Sequence, residues 1–258
     1  FYLDFDEDSG TYPSLDAFMK QTNIQVDYLE DIDDNNTFYG KIKDQLKLGQ
    51  HTGYDVITFT DWVNGRLITD GEIQELDKAN MPNTSGRKFT MPWQAPAAGV
   101  VWNTKEVPDG IHTLDDLLRP ELKGKVGVLS EMRDTMGIIM QSQGVDITQG
   151  WGDTEFDAAL GWLDDALKSG QISKVKGNSY TQDLENDETL AAIAWTGDIA
   201  ILNSEQGDRW PLDAPESGGT ITADSFTIPN GTAAAEKKLA EEMINYYYEP
   251  EVAAMVAD

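Results

Sequence analysis

Apolar positions along this chain switch repeatedly between helical and alternating spacing. In "YPSLDAFMKQTN" (12–23) they fall at 15, 18 and 19 behind Pro13 and Ser14, which predicts a helix and its start. "IQVDYLE" (24–30) alternates and opens on β-branched residues, so it predicts a strand. "TFYGKIKDQLKLGQ" (37–50) predicts a helix ended by Gly49, "YDVITFT" (54–60) a short buried strand, and "DWVNGRLITDG" (61–71) a helix stopped at Gly71. This alternation predicts an α/β domain with a parallel sheet.

The rest of the chain gives a second block. "MPNTSGRK" (81–88) is a polar loop, and "FTMPWQAPAAGVVWNTK" (89–105) is apolar but carries two prolines, so it predicts an extended crossing segment. "TLDDLLRPELKGKVGVLSE" (113–131) predicts a helix, a proline stop and a strand. "DTMGIIMQSQG" (134–144) predicts a helix opening at Asp134, and "TEFDAALGWLDDALKSG" (154–170) an amphipathic helix. "LENDETLAAIAW" (184–195) leads into a strand, and "DIAILNSEQG" (198–207) is a helix. "GTITADSFTIPNG" (219–231) is a strand pair or crossover, and 233–258 is helical with a break at Pro250. If 89–105 crosses from one lobe to another and 219–228 crosses back, each lobe is closed by a late segment. A two-lobed chain of that kind encloses a cleft, and clefts hold ligands.

Charge narrows the partners. Forty-six Asp and Glu face nineteen Lys and Arg over 258 residues, a net charge of −27. Such a chain repels nucleic acid and anionic membranes and steers cations inward. The spread of acids along the whole chain also fits a solubility device or adaptation to salt. With no cysteine, disulfides, thiol catalysis and cysteine-based zinc sites are excluded. No apolar run approaches the roughly 18 residues of a membrane span. The chain opens at "FYLDFDEDSG" without Met, which leads to the expectation of a processed, trimmed or partial chain whose targeting segment lies outside it.

Most enzymatic signatures are absent. The two histidines, His51 and His112, are far apart and beside loop residues. No dinucleotide or phosphate loop, nucleophile elbow or zinc-protease motif occurs. "DIDDNNTFYGKI" (31–42) imitates a calcium loop at Asp31, Asp33 and Asn35 but has Asn36 where Gly is needed and Ile42 where Glu is needed. "DFDEDSGTYPSL" (4–15) fails likewise at Ser9 and Leu15. No metal and no cofactor is expected. A carboxylate-pair hydrolase is the enzymatic alternative, but among so many acids some pair always suggests itself.

What remains is aromatic and acidic residues at strand ends. Thr60-Asp61-Trp62 follows the strand at 54–60, Glu131-Met132-Arg133-Asp134 the strand at 125–130, and Trp195-Thr196-Gly197-Asp198 the strand at 190–194; Asp224 lies in the later crossover. Ligands in open α/β sheets bind beyond the carboxyl ends of strands. Asp61, Asp134 and Asp198 also fit helix N-caps, and Trp62 and Trp195 also fit a core. Carboxylates bind ammonium groups through charge-assisted hydrogen bonds, and indole faces attract cations and cover methylenes. A linear polyamine needs both.

At these residues the chain resembles the polyamine-binding (spermidine/putrescine) extracellular solute-binding proteins of ABC transporters. The resemblance runs through "YPSLDAFMKQTNIQVDYLEDIDDNNTFYGKIK", "GYDVITFTDWVNGRLITDGEIQELDK", "FTMPWQAPAAGVVWNT", "TLDDLLRPELKGKVGVLSEMRD" and "ITADSFTIPNGTAAAEKKLAEEMINYYYEPEVAA", nearly the whole chain in order. It implies a two-lobed, type II periplasmic-binding-protein-like α/β fold with a ligand cleft between the lobes. Lobe one would be 1–93 plus 222–258 and lobe two 96–219, with hinge crossings near 93–96 and 219–222. The resemblance implies ligand contacts at Tyr2, Thr60, Trp62, Glu131, Asp134, Trp195, Asp198 and Asp224, with Trp195 a wall of the ligand box and Asp224 the main amine anchor. Thr222 stands where the family carries a further box tryptophan, and the family's first strand precedes Tyr2. The implied protein is a monomeric, non-enzymatic receptor that delivers putrescine or spermidine to an ABC transporter membrane permease. It would work in the periplasm or outside the cell, in one form lipid-anchored through a segment ahead of Phe1. A binding protein of the same fold for another cationic small molecule is the alternative.

Overall fold

The computed structural model describes residues 3–6 and 8–257. Two compact units divide the chain, residues 1–94 with 223–258 and residues 95–222.

Unit one begins with α1 (Pro13–Thr22) and α2 (Asn35–Leu48), then β1 (Ile57–Thr60), α3 (Asp61–Asp70) and β2 (Thr90–Pro92). Gly49 and Gly71 end α2 and α3 in left-handed conformation, at φ 62° and 70°. That is the helix stop their positions predict, because only Gly enters this region without a Cβ penalty. Residues 24–30 depart from expectation. Their exposure alternates as a strand's does, but they join no ladder among the described residues. Alternation specifies which side chains turn inward; a strand also needs a partner for its backbone.

Unit two follows with β3 (Ala97–Trp102), β4 (Val126–Leu129), α4 (Met132–Ser142), α5 (Asp153–Lys168), β5 (Ile172–Lys176), α6 (Tyr180–Glu185), β6 (Ala191–Trp195), α7 (Thr196–Gln206), β7 (Leu212–Asp213) and β8 (Thr220–Ile221). The chain then re-enters unit one with β9 (Asp224–Thr227), α8 (Ala234–Tyr246) and α9 (Pro250–Ala257). The helix expected after 113 is a short 3₁₀ turn, Leu114–Leu118, closed on Thr113 and Asp116 by a capping box. Pro120 forces Arg119 to ψ 136°, so the turn cannot grow into an α-helix. Three elements, β5, α6 and β7, stand where polar residues interrupt the apolar pattern.

Neither sheet is wholly parallel. In unit one β9 lies between β1 and β2 and runs antiparallel to both. In unit two the order is β5-β4-β6-β3-β7, with β8 also on β3; β4 pairs parallel with β5 and β6, and β3 pairs antiparallel with β6, β7 and β8. The expected parallel pattern is broken because the crossing segments enter the sheets against the direction of their neighbours. Gly99 lets β7 lie close against β3: a Cβ there would sit 2.4 Å from the Asp213 carbonyl oxygen.

Each unit has its own core. In unit one Phe38, Phe59, Val63 and Leu67 pack under β1 and α3. In unit two Val100, Val128, Ile138, Ile139, Ile193 and Trp210 pack around the central strands. Burial of this apolar surface, at about 25 cal/mol per Å², is what holds the strand ends in place. Among the described residues no helix is long and apolar enough to cross a membrane, and no group of three or more acids and histidines could hold a metal ion.

Candidate functional site

The structure brings some candidate residues together in each unit: Thr60 with Asp224 in unit one, and Asp134 and Asp198 around Trp195 in unit two. In unit one the cluster forms because β1 and β9 are in register, with Thr60 directly opposite Asp224. The Thr60 hydroxyl donates to Asp224 Oδ1 at 2.7 Å. Asn35, the first residue of α2, donates from Nδ2 to Thr60 Oγ1 at 2.9 Å. Backbone bonds hold Asp224 from both sides: its N–H donates to the Gln94 carbonyl at 2.8 Å and its carbonyl accepts from Trp93 N–H at 2.7 Å. Thr60 is buried and Asp224 half-buried.

Asp61 belongs to a separate group. Its Oδ1 accepts from Ser225 Oγ at 2.6 Å, and its Oδ2 accepts from Arg87 at 2.7 Å. Arg87 also donates to Ser225 Oγ at 3.2 Å. This carboxylate is therefore neutralised by a cation from the polar loop 81–88. Thr60, not Asp61, is the N-cap residue of α3. Trp62 is half-buried and packs against the core of Phe38 and Phe59. Tyr2 lies outside the described residues.

In unit two the acids are deeper. Asp134 is fully buried, and both its oxygens accept hydrogen bonds: Oδ2 from the Trp195 indole N–H at 2.8 Å and Oδ1 from Thr220 Oγ1 at 2.5 Å. Asp198, 6% exposed, accepts at Oδ2 from the Tyr180 hydroxyl at 2.9 Å. Tyr180 Oη in turn accepts the backbone N–H of Trp195 at 3.1 Å, and the two rings meet edge to face with centroids 6.0 Å apart. Trp195 is half-buried against the unit-two core, so one indole can both join the core and present a remaining surface.

The N-cap reading of these acids is corrected by the helix starts. The N-cap of α4 is Glu131, whose carboxylate accepts from Arg133 N–H at 3.2 Å, and the N-cap of α7 is Trp195. Asp134 and Asp198 sit in the first turns of those helices, where the helix dipole favours negative charge. Arg133 stands beside Glu131. Burial pulls its guanidinium below the ordinary arginine value, and the Glu131 charge pulls the other way.

Sequence reasoning missed Asn35, Tyr180 and Thr220. Tyr180 gives no local signal, because its partners Trp195 and Asp198 lie 15 and 18 residues further on. Asn35 lies inside the false calcium loop, where attention to the acids hides it. Thr220 gives no signal in sequence, because its partner Asp134 is 86 residues away.

The family model described as bacterial extracellular solute-binding protein matches residues 14–258. The chain is 26% identical over 250 residues to a Haemophilus influenzae protein named spermidine/putrescine-binding periplasmic protein 1, covering 90% of this chain and 66% of the relative. It thus spans just under two thirds of that relative's length. In structure it resembles a putative spermidine/putrescine ABC transporter protein of Listeria monocytogenes, with TM-score 0.81 and 22% identity over 98% of this chain and 78% of that one. A binding protein from an Agrobacterium strain, solved with agropinic acid, gives TM-score 0.77 and 19% identity, covering all of this chain and 78% of its own. The fold is thus the two-lobed α/β fold of these binding proteins, and the chain belongs to the bacterial extracellular solute-binding protein family.

Proposed function

We propose that this chain captures a polyamine of the putrescine or spermidine class outside the cytoplasm and delivers it to an ABC transporter permease. The observation that carries the reading is the Thr60–Asp224 pair, a half-buried carboxylate held at the ends of β1 and β9 by a hydroxyl and two backbone bonds. A carboxylate so oriented suits an ammonium group, because a charge-assisted hydrogen bond adds about 1.5–3 kcal/mol. Each unit also carries residue types that an amine-bearing alkyl chain calls for: Trp62, two residues after Thr60, in unit one, and Trp195, Asp198 and Glu131 in unit two. Asp134 then serves by holding the Trp195 indole, since both its oxygens already accept hydrogen bonds.

The polyamine names of the relatives support this ligand class, and membership of a solute-binding family supports a receptor rather than an enzyme. The chain acts as a monomeric receptor rather than an enzyme, in the periplasm or at the cell surface.

A second reading keeps the fold and changes the ligand. It is favoured by the agropinic acid complex of a protein with this fold and by Arg87 and Arg133 beside the clusters. Calorimetry decides between them. Putrescine or spermidine should bind and raise the melting temperature, whereas agropinic acid should do neither. Binding of the acid with no response to either polyamine would overturn the proposal.

A further inference from the structure

The pseudo-calcium loop has a different task. Asn35 lies within it, at the first position of α2, and meets Thr60 at two points. Its Nδ2 donates to Thr60 Oγ1 at 2.9 Å, and its Oδ1 accepts the Thr60 backbone N–H at 3.4 Å. Thr60 Oγ1 in turn lies 2.7 Å from Asp224 Oδ1.

The direction of each bond follows from chemistry. A carboxylate only accepts, so the single Thr60 hydroxyl proton goes to Asp224. The hydroxyl oxygen can then only accept from Asn35, which requires the amide nitrogen on that side. The amide oxygen is left facing the Thr60 N–H, its natural donor. The reversed amide would set two N–H groups against each other at one point and two acceptors against each other at the other. Three bonds thus fix one another without ambiguity.

We propose that Asn35 is a positioning residue for ligand recognition: it holds the Thr60 hydroxyl as a donor to Asp224 and so keeps that carboxylate oriented for an incoming cation. The inference rests on the polyamine reading for its choice of ligand, but the bond directions do not. One consequence concerns ligand class. The Thr60 hydroxyl has no proton left for a guest, so a group docking on this pair must bring its own protons. An ammonium does so and a carboxylate does not. The Thr60–Asp224 bond thereby works against anionic ligands, and Asn35 supports it by occupying the acceptor side of the hydroxyl.

The test is a double-mutant cycle on the ligand-binding protein. Putrescine and spermidine affinities are measured by calorimetry for the parent chain, Asn35→Ala, Thr60→Val and the double variant, with melting temperatures as a check on folding. Loss of one such hydrogen bond predicts about tenfold weaker binding for Asn35→Ala. In the Thr60→Val background the same change should cost less than about twofold, because a residue acting through Thr60 has nothing left to act on. A merely structural role shifts the melting temperature and leaves the two losses independent. Multiplying losses, or an unchanged affinity in Asn35→Ala, would overturn the proposal. A second arm needs no ligand: in a crystal structure of ligand-free Asn35→Ala, the Thr60 hydroxyl should turn away from Asp224. Retention of the Thr60–Asp224 bond at its parent length overturns the positioning role. If the parent protein binds neither polyamine, the functional reading fails and this arm still decides the role of Asn35.

Discussion

In unit one Asp224 is half-buried, sits on a strand, and meets a hydroxyl from the strand opposite. In unit two Asp134 and Asp198 are buried, sit in first helical turns, and are held by an indole, a threonine and a tyrosine. The same residue type is thus used in two ways. Cross-strand register leaves a carboxylate near the surface and aims it. Placement within a helix start draws it into the unit, where a charge persists only if hydrogen bonds replace its water. The first arrangement suits contact with a ligand; in the second, Asp134 holds the Trp195 indole and Asp198 the Tyr180 hydroxyl.

This contrast can be broken most easily at Asp134. Replacing it with Ala strands the Trp195 indole N–H and the Thr220 hydroxyl, and two charge-assisted bonds of about 1.5–3 kcal/mol each disappear. We expect Asp134→Ala to lower unfolding stability by about 3–5 kcal/mol, read as a large drop in the melting temperature of the ligand-free protein. Intact melting with ligand affinity lost would place Asp134 at the ligand and erase the difference between the units.

The opposite signature is expected at Asp224. Asp224→Asn keeps an acceptor for Thr60 but removes the charge, so polyamine affinity should fall by about 1.5–3 kcal/mol. Melting temperature without ligand should barely move. Calorimetry with the same polyamine showing no loss would take Asp224 out of recognition.

Tyr180 sharpens the comparison at a smaller scale. Tyr180→Phe removes the donor to Asp198 and the acceptor for Trp195 N–H while keeping the ring. A cost of about 1.5–3 kcal/mol in stability is expected, because the lost bond to Asp198 is charge-assisted, measured by the urea midpoint. A wholly unchanged midpoint would mean that solvent replaces both bonds and that Asp198 is less sequestered than its burial indicates.

Much of the local structure could be read from the chain because its causes are local. Gly49 and Gly71 stop helices, Pro120 ends the turn before it, and the 153–168 stretch repeats apolar residues at helical spacing. Asp61 and Trp62, Glu131 and Asp134, and Trp195 and Asp198 stand after apolar runs and can be read there, and Asp224 stands in the later crossover. Their bonding was not visible. Asp134 and Asp198 read as helix caps, and only the helix starts show Glu131 and Trp195 in those positions. The 24–30 run failed for the converse reason: it has a strand's alternation, and pairing is not a property of one segment.

The sequence by itself determined the period of each element, the points where helices stop, the excess of negative charge and the kinship to solute-binding proteins. These depend on residue type and near neighbours, or on order along the chain. Only the tertiary structure decided that Thr60 faces Asp224 across 164 residues, that Thr220 and Trp195 share Asp134, and that Asn35 orients Thr60. Such contacts arise from strand register and from the packing of helices on sheets. Hydrophobic burial fixes both at once over the whole unit, and no local stretch of sequence contains that information.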